Sequence, residues 1–318
     1  VSIAHITEQH IRQHVSYEMA AQALERALVD DVEPAEDFPR NTYPLKEDNY
    51  LMFMASQSSH WVGAKFMSVN PGNPARRLDR AQGFYILMDA DTTTPKALID
   101  GAELTDLRTV AVTALVTRKL LGRDAERAVL YGYGAQARAH AIGLRQLHPQ
   151  LKNLVVHGRD PRRAEMFAAN AAEHGWNARI GDAMAPDVAV PGADLVVTAT
   201  GAAEPLFPAS LIQPGTLVVA LGSHNAHNHE LDLELMGRSN VIVEDIDTAL
   251  REAGEVALAV EAGLLTADDL ITVRDVVRGT AKIDRDKPTV YKTVGMSWQD
   301  LIVAGEVYAR VPKVALRS

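Results

Sequence analysis

The stretch LGSHNAHNHEL, residues 221–231, carries three histidines within six positions, His224, His227 and His229, directly after the apolar run GTLVVAL. Imidazoles can move protons near neutral pH, because their ordinary pKa is about 6.5. They can also bind zinc, or simply stand in a polar loop. Zinc sites on a helix place histidines four apart, or use cysteine, with further ligands elsewhere. This chain has no cysteine and no HExxH run beside the loop. A second stretch, AVLYGYGAQARAHAIGL, sets Gly132, Gly134 and Ala137 in a G-x-G-x-x-A pattern. Gly132 permits a tight turn, Gly134 lets the main chain approach a pyrophosphate, and Ala137 allows close packing of helix on strand. Ala135 and Gln136 open that helix, whose unpaired N–H groups and positive dipole end favour an anion.

The pattern is informative only through the elements around it. RAVLY, KNLVVH, NARI, ADLVVTAT and GTLVVAL read as short apolar strands, and helical segments such as RRAEMFAANAAEHG separate them. Continuous apolar strands alternating with helices predict an α/β fold with a doubly wound parallel sheet, a Rossmann domain, over residues 121–290. The end of its second strand selects the cofactor. A carboxylate there would bond the ribose hydroxyls of NAD, whereas arginine accommodates the extra phosphate of NADP. Arg159 stands at that strand end with Arg162 beyond it, which favours NADPH over NAD. Thr198 and Thr200 close the run LVVTATG, at the crevice where open sheets bind ligands. Before this domain, VSIAHI reads as a strand, Thr7 to Asp30 as one amphipathic helix, and YLMFMAS, WVGAKFMSV and FYILMDA as a mainly antiparallel sheet.

Composition narrows the class. A chain of 318 residues is roughly two domains. Hydrophobic residues at 47% and charged residues at 23% are ordinary globular usage. A net charge of -9 argues against a nucleic-acid surface, and no apolar run of about 18 residues reads as a membrane span. No basic segment followed by an apolar core opens the sequence, so a cytoplasmic protein with a small-molecule partner is expected.

FPR, GAKFMSVNPGN, DGAELTDLRTVAVTAL, GYGAQARAH, ATGAAEPLF, REAGE and KTVGMSWQDL occur in the order found in the ornithine cyclodeaminase and mu-crystallin family. The chain resembles that family over nearly its full length. The resemblance implies a homodimer, with a smaller α+β substrate-binding and dimerisation domain built from residues 1–120 and 291–318. It implies that Arg40, Lys65 and Arg108 bind an amino or imino acid. An arginine fork can hold a carboxylate in bidentate fashion, and a lysine beside it can bind charge or move a proton. Val294 and Gly295 match the segment beside the nicotinamide. Gly222 and Glu230 match a loop whose aspartate is catalytic in the cyclodeaminases, but here that position is His224. The departure favours an imine or ketimine reductase, in which NADPH gives hydride to a C=N bond beside a carboxylate and yields an amine or L-amino acid. His224 is then a proton donor, a residue lining the substrate site, or a metal ligand; hydride reduction needs no metal, and none is expected. An amino-acid dehydrogenase, an ornithine cyclodeaminase and a non-catalytic ligand-binding protein are the alternatives.

Overall fold

The computed structural model describes residues 3–182 and 185–312 of the chain. It divides into two compact units, one made of residues up to Val112 and from Gly295 onward, the other of Thr113–Val294.

The first unit begins with β1 (Ala4–Ile6), α1 (Glu8–His14) and α2 (Tyr17–Asp30). Val1 and Ser2 of the strand expected from VSIAHI lie outside the described residues. The single helix expected from Thr7 to Asp30 is two helices. Thr7 caps the first, Val15 turns to extended backbone, and the Ser16 side chain accepts from the Met19 N–H to start the second. A serine with a free N–H three residues on competes with helix continuation, and here it wins. Next come β2 (Asn41–Pro44), β3 (Tyr50–Gln57), β4 (Trp61–Val69), β5 (Ala81–Asp89) and β6 (Pro95–Asp100). They form one six-stranded sheet in the order β1-β6-β5-β4-β3-β2, antiparallel except for β1 beside β6. The helix α3 (Gly101–Leu120) follows, and the division between units falls inside it.

The second unit holds β7 (Arg127–Tyr131), α4 (Ala135–Leu147), β8 (Asn153–His157), α5 (Pro161–Glu173), β9 (Asn177–Ile180), β10 (Leu195–Thr198) and β11 (Leu217–Ala220). It continues through α6 (Leu233–Gly237), β12 (Asn240–Val243), α7 (Ile246–Glu252), α8 (Gly254–Glu261), β13 (Leu270–Thr272), α9 (Val273–Arg278) and β14 (Thr289–Lys292). The eight strands are all parallel, in the order β13-β12-β14-β11-β10-β7-β8-β9. Every residue of β10, β11, β12 and β14 is buried, as a sheet covered on both faces requires. From β7 the chain winds outward to β8 and β9, then returns to the other side of β7 at β10. That reversal is the switch point, where the loops at the carboxyl ends of the strands part and leave a crevice.

Finally, α10 (Ser297–Arg310) returns to the first unit and packs on α2 and on β3, β4 and β5. Trp298, Leu301, Val303, Ala304 and Val307 form its buried side. Among the described residues, no helix is long and apolar enough to cross a membrane.

Candidate functional site

In the first unit, the alternation of β4 sends Lys65 to the inner face of the sheet, between Met54 and Tyr85 on the neighbouring strands. There the side chain is fully buried. Its Nζ lies 2.7 Å from Asp300 Oδ2 on α10 and donates to Thr105 Oγ1 at 3.3 Å. The same carboxylate takes Arg108 Nε at 3.1 Å through its other oxygen, and Arg108 Nη1 donates to Gln299 Oε1 at 3.0 Å. Arg40 Nη2 donates to the Gly295 carbonyl at 2.6 Å. Gly295 has φ +77° and would place a Cβ 2.5 Å from Arg108 Nη1, so glycine is required for the guanidinium to lie against the main chain. Arg40, Lys65, Arg108 and Gly295 are thus joined in one cluster around Asp300. Burial, with Arg108 and Arg40 nearby, brings the Lys65 ammonium down to about 8 against the opposing pull of Asp300. Burial also pushes Asp37 up to about 6, although Ser56 and the Trp298 N–H bond its carboxylate. The bonds of Arg108 to Asp300 and Gln299 take two of the five N–H groups that a guanidinium carries.

In the second unit, Gly132 has φ +112°, and a Cβ there would stand 2.5 Å from the Ala199 carbonyl oxygen. The turn after β7 therefore needs glycine both for its dihedral and for its packing. Gly134 is the N-cap of α4 and provides no side-chain cap, and an added Cβ would meet no heavy atom within 4 Å. Gly134 and Ala135 are exposed, Gln136 is half-buried, and Ala137 is buried against the strand. An uncapped helix start over open space fits the pyrophosphate of a dinucleotide. At the end of β8, Asp160 caps α5 by accepting the N–H groups of Arg162 and Arg163. Arg159, Arg162 and Arg163 are exposed, and the Arg163 guanidinium lies 4.4 Å from the centre of the Tyr133 ring. That ring crosses Gly158 so closely that a Cβ there would come within 2.3 Å of it.

The loop after β11 places His224 and His227 in exposed positions and His229 half-buried. No group of three His, Asp or Glu side chains among the described residues forms a metal-binding cluster. Beneath this loop Glu230 is fully buried. It collects the polar groups expected at the cofactor crevice, because Thr198 Oγ1, Thr200 N, Thr200 Oγ1 and Gly222 N all donate to it. Thr198 is fully buried at the end of β10, and its hydroxyl donates to Glu230. Gly222 is needed because a Cβ there would stand 2.1 Å from the Thr200 carbonyl oxygen. The Val294 N–H is likewise taken by Glu244, at 2.9 Å.

Asp300, Gln299 and Asp37 escaped the sequence reading, as did any role for Glu230. A carboxylate on the apolar side of a helix, among Trp298, Leu301 and Ala304, is the signal that could have found Asp300.

The model of the ornithine cyclodeaminase/mu-crystallin family matches residues 4–314. A Delta(1)-pyrroline-2-carboxylate reductase of Burkholderia ambifaria is 32% identical over 263 residues, 82% of this chain and 81% of that one. The structure of the Thermococcus litoralis Delta(1)-pyrroline-2-carboxylate reductase in complex with NADH and L-proline superposes with a TM-score of 0.89 at 22% identity, covering 99% of each chain. An archaeal alanine dehydrogenase dimer with bound NAD gives a TM-score of 0.86 at 23% identity, covering 96% of this chain and 95% of that one.

Proposed function

The chain belongs to the ornithine cyclodeaminase/mu-crystallin family, and from that premise we propose that it is a nicotinamide-dependent oxidoreductase that reduces the C=N bond of an imine bearing a carboxylate, with NADPH as hydride source. The cluster of Lys65, Arg108 and Asp300 carries this reading. Reducing an imine adds hydride to carbon and a proton to nitrogen. A buried lysine brought down to about 8 can give that proton near neutral pH. Asp300 holds the ammonium in place, while Arg40 and Arg108 supply positive charge for the carboxylate of the substrate. His224 is exposed on its loop, and in this reading the proton comes from Lys65.

The cofactor supplies the hydride when bound. Gly132, Gly134, Ala135 and Gln136 would hold its pyrophosphate at the start of α4. Arg159 and Arg162, with Arg163 ordered on Tyr133, would take the extra phosphate of NADPH, and the Asp160 carboxylate is already committed to the helix cap. Within the second unit, Thr200, Gly222 and Val294 would shape the nicotinamide end of the site.

The assembly we propose is a homodimer formed through the outer face of the six-stranded sheet. Phe53, Phe66 and Phe84 stand in one register row on that face, 40%, 38% and 43% exposed, with Ala55, Ala64 and Ile86 in the next row. The helices cover the opposite face, and a second copy of the same apolar surface is the partner that matches it.

The test is loss of NADPH absorbance with Delta(1)-pyrroline-2-carboxylate, with pyruvate plus ammonia, and with ornithine alone. Turnover is expected with the cyclic imine only, with kcat/KM higher for NADPH than for NADH. Efficient amination of pyruvate would make the protein an amino-acid dehydrogenase, and proline formed from ornithine would make it a cyclodeaminase. A preference for NADH would overturn the role given to the arginines.

A further inference from the structure

Two carboxylates and one lysine are sealed beneath the loop that follows β11, and the proposed chemistry uses none of them. Glu230, Glu255 and Lys292 are all buried. Glu230 Oε1 receives the Thr200 N–H and the Thr200 hydroxyl, each at 2.7 Å. Its Oε2 receives the Gly222 N–H at 2.7 Å and the Thr198 hydroxyl at 2.9 Å. Each oxygen therefore holds one amide, a donor that cannot turn round, and one hydroxyl. Four donors on two oxygens match an ionised carboxylate. Burial pushes the Glu230 carboxyl up, and Lys292 and the threonine donors oppose it.

Lys292, at the end of β14, lies 3.0 Å from Glu255 Oε2 and donates to the Ser223 carbonyl at 2.6 Å. Glu255 Oε1 in turn accepts the Glu230 N–H at 2.8 Å. A single ammonium faces two carboxylates, so with both ionised this floor is negative. A buried charge is costly, and the donors on Glu230 together with the one ammonium offset that cost only in part. What Glu230 binds is the main chain at the ends of β10 and β11, beside the switch point, where ligands of open parallel sheets are held.

We propose that Glu230 is a positioning residue whose negative charge favours a cationic ring in the crevice above it, namely the oxidised nicotinamide, and so biases the bound cofactor toward the form that has given up its hydride. The assignment rests on the reading that this unit binds a nicotinamide dinucleotide.

Calorimetric titration of the full chain with NADPH, NADP+, NADH and NAD+ tests it without any substrate. Glu230→Gln keeps the side-chain shape and removes the charge, but it also turns an NH2 toward one of the two backbone donors. It should raise the ratio of Kd for the oxidised over the reduced form by about tenfold, the size expected of one charge acting across a partly screened protein interior. Glu255→Gln removes a charge from the same floor, leaves all four donors on Glu230 and should move the ratio in the same direction; it carries the test whether or not the first variant folds. A folded variant that weakens both forms equally, or neither, overturns the assignment and leaves Glu230 a structural tie. Wild-type protein that binds none of the four dinucleotides removes the nicotinamide reading itself, and this assignment with it.

Discussion

Lys65 and Arg108 lie side by side in the interior of the first unit, and Asp300 is the carboxylate that both face. Taking ions out of water costs several kcal/mol each unless a counter-charge meets them. Burial and the guanidiniums lower the Lys65 pKa while Asp300 raises it, and the balance falls at about 8. If the ammonium is the proton donor, kcat/KM for imine reduction should be level below that pH and fall as pH rises through about 8. Asp300→Asn removes the group that raises the pKa, so the falling limb should move to lower pH, measured from complete pH profiles of both proteins. A limb that stays in place, or moves up, would take the proton role from Lys65. The two cations were named from the sequence through the family resemblance, and for Lys65 its place in an apolar strand agreed with it. Their counter-ion was not, since Asp300 is 192 positions from Arg108 and folding alone brings them together.

Among the elements, the turn from β7 into α4 separates what a glycine does for the chain from what it does for a ligand. Gly132→Ala would force an L-residue to φ +112° against a carbonyl oxygen and should cost about 2 kcal/mol of stability. Gly134→Ala meets open space at a negative φ. Its melting temperature should stay near that of wild type while the Kd for the dinucleotide rises at least tenfold, since the added methyl lies at the helix start where the pyrophosphate would sit. Equal dinucleotide affinity in Gly134→Ala, read by the same titration, would move the phosphate site elsewhere. Alternation of apolar strand and helix made β7 to β11 legible. It did not reveal β14, because four residues carry no signal of where a strand inserts, and this one enters between β11 and β12, out of chain order. The break between α1 and α2 was missed for a local reason: the helical spacing of apolar residues runs on through Ser16, which caps the second helix.

At the scale of the whole molecule, YLMFMAS and WVGAKFMSV are apolar on both faces of their strands, although the helices of the first unit cover only one face. Antiparallel strands exposed to water on one side usually alternate with polar residues. Phe66→Asp places a charge in the middle of the aromatic row, where Phe66 and Phe84 stack with centroids 5.7 Å apart. It should convert a dimer into a monomer in light scattering coupled to size exclusion, whereas a wild-type protein already monomeric would refute the assembly. The first unit is also discontinuous, with the whole of Thr113–Val294 lying between its two segments. On a ribosome, the sheet that bears Lys65 is therefore made long before α10, and the ammonium has no Asp300 to meet until 235 further residues have been added. Throughout that interval the nascent sheet carries uncompensated positive charge on the face that will become its interior. The arrival of α10 is thus the event that supplies the counter-charge to a sheet already made, and Lys65 meets the carboxylate that opposes the lowering of its pKa only at that moment.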